Sequence, residues 1–207
     1  MSGGSEVGDV KQVKLANAEP GPLGVFGLAC ITLVASSQKL ALTEGTSMIV
    51  PWAIFAGALM QLFAAVEEFK RMNVFGATAF GVFGFFWLAV ATTWLIQSGV
   101  FGLEIMSMLD IKQLGLAFLA FFIISVFLTI CAAGVHKCMF FIMVFIDLLL
   151  LGLALNSLGI GSFGSGMAAV AELLTGILGL YISGGTLVND FYGKVIFPMG
   201  KPFVGKK

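Results

Sequence analysis

The sequence predicts an all-α integral membrane protein built as a six-transmembrane-helix bundle, and three observations carry that prediction. Charged residues make up only 11% of the 207-residue chain, against roughly 25% in a soluble domain. Mean hydropathy is +1.05. The apolar residues are gathered into six windows free of charge or nearly so, each close to the roughly 20 residues that an α-helix needs to cross the hydrocarbon core. A soluble catalytic domain finds no room beside six such spans.

The first window runs from Pro22 to Leu42 and opens on Glu19-Pro20-Gly21-Pro22-Leu23-Gly24. One proline suits a first helical turn, whereas a Pro-Gly-Pro series predicts irregular backbone at the membrane edge. Lipid cannot satisfy such backbone, so Glu19, Pro20, Pro22 and Gly24 are expected to border a cavity, as the mouth of a pathway. The second window, Met48 to Val66, carries Gln61 and ends in Glu67-Glu68-Phe69-Lys70-Arg71. That connection is short enough to make the third window, Gly76 to Gln97, an antiparallel neighbour. The fourth spans Leu114 to Gly134 and the fifth Cys138 to Leu158, joined through Val135-His136-Lys137. A Gly- and Ser-rich stretch from Asn156 to Gly166 reads as the loop before the sixth window, Met167 to Leu187. The organisation expected is an amino-terminal tail over residues 1–20, a membrane domain over 21–188 and a carboxyl-terminal tail over 189–207. The polar stretch Met1 to Asn17 lacks the apolar core of a signal peptide, so the first span is expected to remain in the mature chain.

Six spans also sort the positive charge. Lys11, Lys14, Lys70, Arg71, Lys137, Lys194, Lys201, Lys206 and Lys207 fall on one side, which leaves Lys39 and Lys112 on the other. The imbalance predicts a multi-pass protein of the cell membrane with both termini cytoplasmic. A net charge of zero with no clustered basic face excludes a nucleic-acid partner. The lipid bilayer is the partner the composition demands.

Catalytic chemistry is missing. No pair of acids stands at metal-ligand spacing, and no nucleophile stands beside a base within a span. Cys30, Cys131 and Cys138 show no Cys-x-x-Cys spacing, and are expected as small buried hydrophobes. No enzyme activity, metal site or cofactor is expected. His136 reads as a solvated loop residue and Glu172 as interfacial. The polar candidates inside the spans are Gln61 and Asp147, the latter about ten residues into the fifth span. A carboxylate at the membrane centre costs about 2.5–3.5 kcal/mol, so Asp147 must face the bundle interior and be paired, hydrated or protonated. It serves either a proton-linked or selectivity role in a solute pathway, or a single interhelical hydrogen bond. Glycines in the first, third and sixth spans permit close helix approach, and the same positions are compatible with lining a narrow channel.

Three blocks in order resemble the acetate/succinate transporter family, also called the acetate uptake or YaaH-like family. Glu19-Pro20-Gly21-Pro22-Leu23-Gly24-Val25 is similar to the family's Asn-Pro-Ala-Pro-Leu-Gly-Leu. Gln61, Glu68, Asn73, Phe75-Gly76-Ala77-Thr78-Ala79-Phe80 and Phe83-Gly84-Phe85-Phe86-Trp87 form the second block, and Tyr181, Val188-Asn189-Asp190, Tyr192-Gly193-Lys194 and Pro198-Met199-Gly200 the third. The resemblance implies a pore through each protomer of a homo-hexameric ring. It also implies transport of acetate, with succinate and similar short carboxylates in some members. The family's hydrophobic constriction of Phe, Tyr and Leu looks like Leu28, Phe83 and Ile146 here. These replacements keep the ring apolar and remove one hydroxyl, while Glu19 puts a negative charge where the family has an amide. The function expected is passage of acetate-sized carboxylates by a channel or with protons. The alternatives are a channel for a small neutral solute such as urea, and a membrane scaffold or sensor that carries nothing.

Overall fold

The computed structural model describes residues 18–161 and 163–205. Lys11, Lys14, Lys206 and Lys207, used above to sort charge, lie outside the described residues, as does the amino-terminal tail before residue 18. Six helices are long and apolar enough to cross a membrane: Gly21–Lys39, Ile49–Lys70, Val74–Gln97, Ile111–Ala132, Lys137–Leu158 and Gly164–Tyr192. These are the first to sixth spans below. A five-residue helix, Leu103–Ser107, fills the connection between the third and fourth.

The Pro-Gly-Pro segment does not form the irregular backbone expected of it. Pro20 is the N-cap, with φ −82° and ψ −14°, and the helix begins at Gly21 with Pro22 in its first turn. The Gly24 N–H already donates to the Pro20 carbonyl at 3.2 Å. First-turn N–H groups have no intrahelical acceptor, so two prolines placed there forfeit no hydrogen bond. The carboxylate of Glu19 takes the Gly21 N–H at 3.2 Å, which caps the start from outside.

Irregularity appears instead in the second span, where Ala53–Met60 is π-helical. It follows Pro51, and its widened turn holds the small residues Ala53, Ala56, Gly57 and Ala58 inward. Two neighbours close on it. A Cβ on Gly27 would stand 2.5 Å from the Ala56 carbonyl oxygen, and one on Gly57 would stand 2.9 Å from Ile31 and 3.0 Å from Trp87. Glycine at both positions is therefore a packing requirement.

The sixth helix is longer than the sequence suggests at both ends. The Gly- and Ser-rich stretch folds into it from Gly164 because Gly164 crosses Gly152 so closely that a Cβ would lie 2.8 Å from the Gly152 oxygen. At the other end it continues to Tyr192 and stops at Gly193, whose φ of +62° suits glycine in a left-handed C-cap. The chain then turns back. Asn189 Oδ1 accepts the N–H groups of Ile196 and Phe197 at 2.7 and 2.9 Å, and Tyr181 donates to the Pro198 carbonyl at 2.9 Å. The third sequence block is thus a folded strap, pinned at its far end by Cys138 N–H to the Met199 carbonyl at 3.1 Å.

Successive spans pack side by side, and the first also packs along the sixth, so the bundle closes on itself. The third and fifth have no direct backbone contact and face each other across the interior. The fourth is the least enclosed, with Leu116, Ile123, Phe127 and Ile130 exposed. Those side chains face lipid or a neighbouring protein.

Candidate functional site

A cavity of about 160 Å³ occupies the interior at the end where the first span starts. Holding one water takes roughly 10–15 Å³ on the same measure, so a small solute with part of its hydration fits. The residues around it change character with depth. Glu19, Glu68, Asn73 and His136 stand at the mouth; Val25, Leu28, Phe80, Phe83, Ile142 and Ile146 line the wall. Leu28 lies seven residues into the first span, and Phe83 and Ile146 each lie nine into theirs. At 1.5 Å per residue that sets all three about 10–14 Å below the mouth. They are 8%, 4% and 3% exposed and belong to the cavity's apolar wall. Sequence reasoning named these three positions from separate helices, and the fold brings them to one cavity.

Gln61 joins them from the end of the π-helical segment. It is fully buried, and its Nε2 donates to the Gly57 carbonyl at 2.5 Å. Its Oε1 has no protein partner among the described residues. An amide buried beside a cavity with one acceptor open is a group waiting for a donor, either water or a solute.

At the mouth, charge is held in place by neighbours. Glu19 pairs with Arg71 at 2.6 Å while it caps the first helix, so the negative charge that replaces the family's amide is matched on the spot. It also occupies the helix start where an incoming anion would otherwise bind. Glu68, 3% exposed, accepts from Asn73 Nδ2 at 2.9 Å. Asn73 caps the third span through Oδ1 to the Gly76 N–H at 3.3 Å, and Gly76 must be glycine because a Cβ would stand 2.7 Å from Glu68 Oε1. His136 is not a solvated loop residue. Its Nδ1 accepts the Met139 N–H at 3.0 Å as the N-cap of the fifth span, and it lines the cavity half-buried. Burial lowers its pKa from the usual value, which keeps it neutral. The lone histidine of a turn gives no sequence signal of that burial.

Asp147 stands outside this cavity. Its two oxygens accept from Ser125 at 2.5 Å and Thr129 at 2.7 Å, both on the fourth span, so it links the fourth and fifth helices. Glu172 is buried within the protein at the end of the bundle opposite Glu19. It is 1% exposed and pairs with Lys39 at 2.9 Å, across 133 positions of sequence. Both line a second cavity, of about 210 Å³, at the opposite end of the bundle, with Trp87, Gln97 and Asn156.

Comparison with known proteins adds four findings. The "succinate-acetate/proton symporter SatP" of Escherichia coli is 30% identical over 192 residues, covering 91% of this chain and 97% of that protein. "Acetate permease A" of Emericella nidulans is 30% identical over 146 residues, 65% of this chain and 48% of the relative. The solved structure of "the bacterial acetate channel SatP" superposes with a TM-score of 0.82 over 89% of this chain and all of that one, at 24% identity, which establishes the shared six-helix fold. Residues 3–198 match the GPR1/FUN34/yaaH family, and the chain belongs to it.

Proposed function

We propose that the chain carries acetate and similar short carboxylates across the cell membrane through the interior cavity, as a channel or with protons, and that it has no enzymatic activity. The carrying observation is the cavity itself: a polar mouth above a throat of Leu28, Phe83 and Ile146, enclosed by helices of one protomer. Relatives named for acetate and succinate transport support the substrate class, and the word symporter in one of those names supports the proton. Taking an ionised carboxylate out of water costs several kcal/mol unless donors replace its shell. The throat offers none, so it favours the protonated acid, whose methyl end suits an apolar ring.

The protomer is assigned to a homo-hexamer with six separate pathways, and the exposed apolar faces of the fourth span are compatible with contact between copies. Both termini are assigned to the cytoplasm. Lys70, Arg71, Lys137, Lys194 and Lys201 lie at one end of the bundle, and the partner of Lys39 at the other end is Glu172. The tail, membrane and tail divisions at 1–20, 21–188 and 189–207 follow that assignment.

Purified protein in liposomes, tested with acetate, succinate and urea at two pH values, decides among these. Saturable acetate flux above protein-free vesicles supports the proposal. Urea flux untouched by acetate favours a neutral-solute channel instead, and absence of any flux returns the protein to a scaffold or sensor.

A further inference from the structure

The second cavity lies at the mouth opposite Glu19, and neither the throat nor the sequence blocks account for its chemistry. Glu172 from the sixth span is 1% exposed and has one partner, the Lys39 ammonium at the end of the first span, itself 21% exposed. Trp87 from the third span lines the same cavity at 3% exposure, and its indole N–H has no acceptor among the described residues. A buried ion pair confers little stability over a well-packed apolar pair of the same size, since desolvation consumes most of the attraction. A pair placed on the wall of a solute-sized cavity, beside an unused buried donor, therefore asks for a use.

We propose that Lys39 and Glu172 form a carboxylate-binding and proton-loading site at this mouth, on the reading that the chain transports short carboxylates. The Glu172 side chain ends in the same group as the proposed solute. A solute carboxylate in the cavity competes with it for Lys39, and the Trp87 N–H supplies a second donor. Once displaced, a carboxylate at 1% exposure has no counter-ion and is stable there only as the neutral acid. Glu172 then takes one proton from water at that mouth. Anion and proton load together, and return of Glu172 to Lys39 releases the proton with the solute. No bond other than O–H forms or breaks, and net charge in the cavity is unchanged. Among the cavity's lining residues Lys39 and Glu172 carry the charge; the third and fifth spans contribute Thr93, Gln97, Asn156 and Ser157, all neutral. Asp110, at the start of the fourth span, lines an adjoining depression that shares Thr93 and Gln97.

The test is the full chain in liposomes, with labelled acetate and an internal pH dye read together to give protons moved per acetate. Wild type is expected to move one proton with each acetate. Glu172→Gln removes the proton source that the throat requires, so acetate flux and the accompanying proton movement fall together. The double variant Lys39→Gln/Glu172→Gln removes both charges, leaves no buried ion alone, and raises KM for acetate about tenfold or more, the value of one charge-assisted hydrogen bond. Melting temperature and elution volume check that both variants fold. Wild type that moves acetate, with Glu172→Gln retaining wild-type flux and the double variant its KM, overturns this site alone. Wild type that moves no carboxylate overturns the transport reading and this site with it.

Discussion

Gln61→Leu separates a group kept for packing from one kept for solute. In the folded protein Gln61 is fully buried, donates one hydrogen bond to Gly57 at 2.5 Å and leaves Oε1 without a protein partner. Leucine removes the bond, a loss of about 0.5–1.5 kcal/mol, and also removes the open acceptor, whose desolvation costs about 1–3 kcal/mol. The balance runs from about 0.5 kcal/mol of destabilisation to about 2.5 of stabilisation, centred near 1 kcal/mol in favour of the variant. For a chain of this size 1 kcal/mol moves Tm by about 2–4 °C, so the variant is expected to melt about 3 °C higher in detergent. Acetate flux is expected to fall, because the acceptor facing the cavity is gone. A more stable and less active variant is the signature of a polar group held for function. A variant that melts many degrees lower with flux unchanged refutes the reasoning and makes Gln61 a structural residue.

Phe83→Ala should widen the throat, and flux measured over a series of carboxylate lengths should extend to longer acids; an unmoved size limit removes Phe83 from the constriction. Asp147→Asn should leave acetate flux unchanged from about pH 5 to about pH 8, since the side chain faces Ser125 and Thr129 rather than the cavity. Gly27→Ala should cost about 1–3 kcal/mol by overpacking, visible as a lower melting temperature, because its Cβ would meet the Ala56 carbonyl oxygen at 2.5 Å. For His136, burial lowers the folded-state pKa below that of the unfolded chain. The unfolded state then binds the proton more readily, so its contribution is fully present above the unfolded value of about 6.5 and is lost as pH falls from there toward the lowered value. Melting curves across that interval should show a slope that His136→Asn, still able to cap the helix, flattens.

The six spans were legible because a membrane-crossing helix must be long and apolar, and 20-residue windows report that without any knowledge of neighbours. Leu28 and Phe83 were reachable because motif residues flank each on its own helix, whereas no motif block falls on the fifth span and Ile146 rested on a looser fit to the family pattern. What failed was of two kinds. Pro20 and Pro22 were read by what proline lacks, when the first turn of a helix has no use for the missing N–H. The burial of His136 and the pairing of Glu172 depend on partners elsewhere: Lys39 lies 133 positions from Glu172, and the cavity beside His136 is assembled from five of the six spans. The π-helical turn at Ala53–Met60 had no signal beyond Pro51, because it arises from how the first and third spans close on small residues.

The acids in and beside the spans are satisfied differently, and on the proposed reading the differences give the two mouths opposite tasks. Asp147 has two hydroxyl donors and no cation, an arrangement that fixes two helices and leaves nothing for a solute to displace. Glu19 and Glu68 stand over the throat beside a neutral histidine, and the nearby cation, Arg71, is already paired to Glu19. On the proposed reading, an anion approaching from that end finds its nearest cation already paired and apolar walls below, so the neutral acid is the form favoured. At the far mouth a lysine is held by a single buried carboxylate that a solute carboxylate can replace. On the proposed reading, a solute binds there as an anion and must gain a proton before the throat admits it, and Glu172 is the group placed to deliver one. On that reading, coupling of carboxylate to proton follows from the order of the two cavities.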